Sequence, residues 1–332
     1  MQAPGGWSPL ASLDAPNMPL QIPKRIFSFL ATLFAAMLVV FLVLEILPGD
    51  PALVMLGPDA TPEMVASLRG ELGLDRPATL RFFSWLAAMA QGDFGISYSY
   101  KVPVSTLVAD RLGVTLPLAV LAITLTVVLA LLVGVYAAAN HNRPGGHIVM
   151  ALTQLGVAIP SFWFGLLLVL FFSVYLKWFP ATGFPGWGAG VLPALHALLL
   201  PAVALAIVQA AILARVTRAS LLEVLKDDFT RTARSKGLTY WQMLWRHALQ
   251  NALIPIATIV GLQFAHLIAG TIVIENVFAL PGIGNLIFHA VSQRDLIVVR
   301  SLVVILVAVV ITVNFIVDTA YLLIDPRLRV PK

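Results

Sequence analysis

Glu45, Glu275 and Asp318 are carboxylates set in otherwise apolar runs, where a charge costs ~2.5–3.5 kcal/mol to insert at mid-membrane. Each therefore needs a reason. Glu45 and Glu275 fall near the ends of their runs, where both could reach lipid headgroups. Asp318 lies deeper, with Asn314 one helical turn before it. A proton-coupled carrier would want such a carboxylate; a hydrogen bond in helix packing or at a subunit contact would also explain it. Four uncharged polar residues share the setting. Gln154, Gln209, Gln263 and His266 are candidates to line a membrane path, Gln263 and His266 foremost, and each would also serve as a modest interhelical hydrogen bond.

Enzyme chemistry finds little to work with. There is no cysteine, which removes disulfides, thiol catalysis and Cys-type zinc sites. The histidines at 141, 147, 196, 247, 266 and 289 lack metal-ligand spacing. H-E-x-x-H, G-x-S-x-G and G-x-x-x-x-G-K-[ST] are all absent, so the chain cannot hydrolyse ATP by itself. No catalytic residue, metal or cofactor is expected. An intramembrane enzyme would need paired catalytic groups in the spans, and none stands out.

The elements that carry these residues are membrane spans. Of 332 residues only 11% are charged, and mean hydropathy is +0.92, against about 25% charged in a soluble domain. Six stretches reach the ~20 apolar residues a bilayer-crossing helix needs: 26–47, 112–139, 148–176, 192–214, 252–274 and 296–324. Prolines 117, 160, 201 and 255 fall inside them and should bend their helices. The predicted fold is all-α.

Basic residues set the orientation. With the N-terminus inside, the inner segments hold 13 of the 21 Lys and Arg: 24, 25, 143, 215, 218, 226, 231, 234, 236, 246, 327, 329 and 332. Five of the outer eight lie in the long stretch 48–111, which counts little. Both termini are expected in the cytoplasm. The net charge of +5 is spread over short loops and implies lipid rather than nucleic acid. Residues 1–23, with five prolines, read as a disordered cytoplasmic tail and 325–332 as a short cytoplasmic one. The segment 48–111 reads as a small outward helical cap, with Thr61 as N-cap, Pro62 at the first helical position and a second helix from Pro77.

One insert is polar and basic: "DDFTRTARSKGLTYWQMLWRHALQN", residues 227–251. It reads as two helical pieces around Gly237. The first runs from about Leu221 to Lys236, acidic early and basic late, as the helix dipole prefers. Gly237 ends it in a left-handed conformation. The second carries Leu238, Trp241, Leu244, Trp245, Ala248 and Leu249 on one stripe, an amphipathic helix leading into the fifth span. The plain alternative is an interfacial helix that only anchors the loop.

The residue order goes further. Arg231, Thr232, Ala233 and Gly237 resemble the cytoplasmic loop of bacterial ABC-importer permeases in the dipeptide/oligopeptide branch. "LPGDPA" (47–52), "LRGELGLDRP" (68–77), "GDFGISY" (92–98), "IPSFWFG" (159–165), "LARVTRASLLEVL" (213–225), "VFALPGIGNL" (277–286) and "DPRLR" (325–329) resemble the same branch, in order from residue 24 to the C-terminus. Two features depart from it: Gln250 stands where the general motif has a proline, the nearest being Pro255, and the N-terminal tail is long.

The resemblance implies a type I importer permease in a bacterial inner membrane, the first of two permease subunits. Its core would be 112–324 after a first span at 24–47. Its partners would be a second homologous permease, two ATP-binding cassette ATPase subunits and an extracytoplasmic substrate-binding protein. A loop within 215–251 would dock the ATPase, through Phe229, Arg231, Thr232, Ala233, Arg234, Lys236, Gly237 and Leu238. Di- or oligopeptides are the implied cargo, with glutathione, nickel chelates and sugars as alternatives. A competing reading is an ion-gradient-driven carrier using Asp318 or Glu45, which predicts an inverted repeat that the spans do not display.

Overall fold

The computed structural model describes residues 18–46, 51–57 and 59–324, apart from a few side chains within those segments. The 1–17 part of the expected tail and the C-terminal 325–332 lie outside the described residues, as do the side chains of Phe229, Arg231, Ala233, Arg234 and Asp318. The described chain is helical. Helix α1 (Met18–Ile46) begins inside the stretch expected to be tail, and runs through Pro23. Three short helices follow: α2 (Pro51–Leu56), α3 (Pro62–Glu71) and α4 (Ala78–Ala90). At α3 the expected start is observed. Thr61 is the N-cap and its side chain accepts from the Met64 N–H, with Pro62 opening the helix and Glu63 in the first turn.

Among the described residues, five helices are long and apolar enough to cross a membrane unbroken. They are α1, α5 (Val104–Ala139), α8 (Val191–Val224), α11 (Leu249–Val277) and α13 (Leu296–Ile324). The third expected span is different. It consists of α6 (Pro144–Ala158) and α7 (Ser161–Leu168, continued as a π-helical segment to Tyr175), bent by 101°. Ile159 and Pro160 are extended there, with ψ of 123° and 136°. A proline denies its predecessor the α conformation and supplies no N–H, so the helix ends. The chain passes helically through Pro117, Pro201 and Pro255.

Packing is organised around α8. Helix α5 lies against it at Gly134, where an added Cβ would sit 2.6 Å from Thr217 Cβ. Small residues let membrane helices approach this closely, and dispersion does the rest. One core cluster joins Leu118, Leu198, Leu205, Leu267, Ile274 and Phe278. A second joins Val135, Leu213, Leu221, Leu244, Ala248 and Ile256. Helix α1 stands outside, touching α13 through rings such as Phe29 and Phe315, whose centroids are 5.0 Å apart. The cap helix α4 packs Phe82 and Trp85 onto Phe41 of α1.

Candidate coupling loop and membrane path

At 34 residues, α8 is about 51 Å long, roughly 20 Å more than the ~30 Å hydrocarbon core. Its last turns carry Arg215, Arg218 and Glu223 and lead into the polar insert. The expected first helical piece is divided. Residues 221–224 finish α8, a turn follows, and α9 occupies Asp228–Ser235. The turn is held by Thr230, 2% exposed, whose hydroxyl donates to the carbonyls of Leu225 (3.0 Å) and Asp227 (2.6 Å). Carbonyls near a helix end lack intrahelical donors, so this bond closes α8 and starts α9 at a fixed angle.

Gly237 has φ +87°, the left-handed turn expected of it. Nothing lies within 4 Å of where a Cβ would be, so conformation rather than space selects glycine there. Thr239 then opens α10 (Tyr240–Met243) with a capping box. Its hydroxyl accepts from the Gln242 N–H (3.4 Å), and Gln242 Oε1 accepts from the Thr239 N–H (3.1 Å). The signal, Thr followed three residues later by Gln, is present in the sequence, and the stripe reading passed over it.

Helix α10 continues through a π-helical segment, Leu244–Ala248, directly into α11. The predicted apolar stripe is split by the packing. Leu244 and Ala248 are fully buried and Leu249 nearly so, whereas Trp241 and Trp245 are 51% and 45% exposed. Helix α9 is thus held between two rigid rods that are the fourth and fifth spans themselves. Thr232 is exposed on α9, Lys236 and Gly237 are exposed in the turn after it, and Leu238 there is half-buried.

The four candidate path residues separate into two pairs of environments. Gln209 of α8 and Gln263 of α11 meet: Gln263 Nε2 donates to the Gln209 carbonyl at 3.0 Å, and Gln263 is 3% exposed. Its Oε1 is buried without a donor among the described residues. Gln154 is exposed on α6 and accepts from Arg215 Nη1 at 3.0 Å. His266 is exposed on α11.

Two of the three intramembrane carboxylates have partners the sequence did not disclose. Glu45 forms an ion pair with Arg81 of α4. Glu275, expected to reach headgroups, is instead completely buried. Its Oε1 accepts from Thr115 Oγ1 (2.6 Å) and its Oε2 from the backbone N–H groups of Gly284 (2.7 Å) and Asn285 (3.2 Å). It caps helix α12 (Ile283–Ser292), whose N-terminus carries partial positive charge. Gly282 and Gly284 permit this, because a Cβ on either would lie 2.3 Å from Glu275 Cδ or Ile272 Cα. Asp295 was not singled out from the sequence. It is 1% exposed, accepts from Ser97 Oγ (2.6 Å), the Ser99 N–H (3.0 Å) and the Val298 N–H (3.2 Å), and so pins the 92–103 loop to the start of α13.

A helical membrane chain of five unbroken spans and one bent pair, with a capped polar loop fused to two of its spans, has the form of a transport permease. The chain belongs to the family of binding-protein-dependent transport system inner membrane components, whose model matches residues 130–330; the family's N-terminal region matches 19–119. It is 40% identical over 315 residues to a probable peptide ABC transporter permease protein of Sinorhizobium fredii (strain NBRC 101917 / NGR234), covering 94% of this chain and 100% of that one. A glutathione transport system permease protein of Salmonella choleraesuis (strain SC-B67) is 37% identical over 92% of this chain and 97% of its own length. In fold, the inward-facing MetNI methionine ABC transporter is similar, with a TM-score of 0.54 at 19% identity over 66% of this chain and 96% of that one. The chain is therefore an inner-membrane ABC permease component, not itself the ATPase, and works with a binding protein and an ATPase.

Proposed function

We propose that the chain forms half of the translocation path of a peptide importer and takes its power stroke through residues 227–251. The observation that carries this reading is that the loop runs on helically from α10 into α11 and joins α8 through a short turn pinned by Thr230. A push on α9 from an ATPase groove moves two spans as levers, with no flexible linker to absorb it. The capping box and the left-handed Gly237 keep the handle stiff. Contact with the ATPase falls to Phe229, Arg231, Thr232, Ala233, Arg234, Lys236, Gly237 and Leu238.

The assembly in this reading has a second homologous permease, two ATPase subunits and an extracytoplasmic binding protein. The core is 112–324, both termini are cytoplasmic, and 48–111 faces outward. On the path between the permeases we place the exposed His266 and Gln154, with Gln209 and the buried Gln263 in the layer directly behind them. Peptide is the cargo class supported by the relatives' names, glutathione being itself a tripeptide.

The test is uptake by the reconstituted importer. Gly237→Pro demands a negative φ where the loop has +87°, and Ala233→Asp alters the docking helix. Both variants should insert and assemble their spans yet lose transport and transport-stimulated ATP hydrolysis. Normal uptake in either would sink the coupling role. For the path, unchanged uptake in His266→Ala or Gln263→Ala removes that residue from it.

A further inference from the structure

Between α1, α4 and α13 lies a cavity of about 360 Å³ whose polar lining includes Glu45, Arg76, Arg81, Asp93, Tyr98 and Arg300. Glu45 and Arg81 satisfy each other, and Asp93 Oδ1 accepts from the Gly95 N–H at 2.9 Å. Arg300 is left over. Its guanidinium lies 4.9 Å from the centroid of the Trp85 ring, and among the described residues no carboxylate stands within ion-pair distance of it. Its Nε is buried without an acceptor, as are Arg81 Nε and the Trp85 indole N–H. A cation withdrawn from water without a counter-ion is costly. An anion brought in from outside would offset that cost and meet the idle donors.

The same two long helices continue into a second cavity, apolar and about 610 Å³, lined by Phe34 and Met37 of α1 and by Val304, Ala308 and Thr312 of α13. Phe94 borders both cavities, so the two are neighbours along the same pair of helices. From Arg300 to Thr312 is about 18 Å along a helix, close to the ~15 Å of hydrocarbon in one leaflet. A small soluble anion would use the upper cavity and leave the trough empty. A molecule with an anionic head and an acyl tail of one leaflet's depth uses both.

We propose that this composite site holds one anionic phospholipid, its phosphate on Arg300 and one chain in the trough between α1 and α13. Three arginines against two carboxylates give the head region a net positive charge, which a zwitterionic lipid does not balance. Trp85 and Tyr98 beside it are residue types that favour the headgroup level. The site is independent of the cargo. It serves to fasten the peripheral helix α1 to the core.

The experiment uses the assembled transporter in detergent, with native mass spectrometry reading retained lipid. The wild type should retain phosphatidylglycerol at least tenfold more than phosphatidylcholine. Arg300→Gln should abolish the preference and Arg300→Lys should keep most of it, while assembly with the ATPase shows that each variant folds. Because the chain has no cysteine, Ala308→Cys carries one photoreactive label into the trough, where it should capture lipid. Equal retention of the two lipids, or an Arg300→Gln variant that retains phosphatidylglycerol as the wild type does, would overturn the proposal. So would competition by inorganic phosphate without lipid capture, which indicates a soluble-anion site. Capture of the second permease by the label would mean that a protein helix fills the trough.

Discussion

Thr115 Oγ1 donates to Glu275 Oε1 at 2.6 Å while the same oxygen accepts the Ile283 N–H at 2.8 Å. One hydroxyl thus ties α5, α11 and α12 together across 160 positions of sequence. The carboxylate then completes the α12 cap through Gly284 and Asn285.

Glu275→Ala removes the acceptor for three buried donors. At about 1–3 kcal/mol per unmet buried group, the loss should reach roughly 3 kcal/mol or more. Glu275→Gln keeps an acceptor oxygen for α12 but weakens it by removing the charge, so the expected loss is about 1 kcal/mol. Thermal unfolding of the detergent-solubilised protein measures both. Equal stability of the alanine variant and the wild type would contradict the buried network.

Gly284→Ala should be costly for a different reason. The new Cβ meets Ile272 Cα, a backbone atom that cannot swing aside, and overpacking costs about 1–3 kcal/mol. Gly70→Ala is the matched control. It lies in exposed helix α3 with nothing within 4 Å, so it should be neutral or stabilise by up to about 1 kcal/mol. Comparing melting temperatures of the two variants separates steric crowding from glycine replacement as such.

Thr239→Ala removes half of the capping box at about 1 kcal/mol. Amide exchange across 240–248 should then quicken about fivefold, the factor that 1 kcal/mol represents, while α5 amides stay unchanged. Exchange rates equal to wild type would mean that packing of Leu244 and Ala248 alone holds this segment.

Tyr98 lies outside the spans, and burial pushes its phenol above the ordinary value, opposed by nearby Arg300 and assisted by Asp295. The unfolded phenol ionises at about 10, before the folded one. This contribution to stability is therefore complete below about pH 10 and declines as pH rises through the folded value. Thermal unfolding between pH 8 and 11 should show an alkaline loss in the wild type that Tyr98→Phe lacks. Parallel curves for the two proteins would remove Tyr98 as the cause.

The positions of five spans, the α3 start at Thr61 and the turn at Gly237 were legible in the sequence because each depends on its own neighbourhood. Hydrophobic cost accumulates residue by residue along one helix, a cap needs three consecutive positions, and a left-handed turn needs only glycine. The capping box at Thr239 and Gln242 was equally local, and only the competing apolar stripe hid it.

What the tertiary structure decided involves distance in sequence. Glu275 and Asp295 are defined by Thr115 and Ser97, 160 and 198 positions away, and no periodicity encodes a partner that far off. Trp241 and Trp245 fit the apolar stripe as well as Leu244 does, yet Leu244, Ala248 and Leu249 enter the core while both tryptophans stay exposed. Pro117, Pro160, Pro201 and Pro255 look alike in the chain. Only at Pro160 does the helix stop and turn by 101°, because a single proline costs one hydrogen bond and a steric adjustment, and the surrounding helices determine whether that cost is absorbed or becomes a corner.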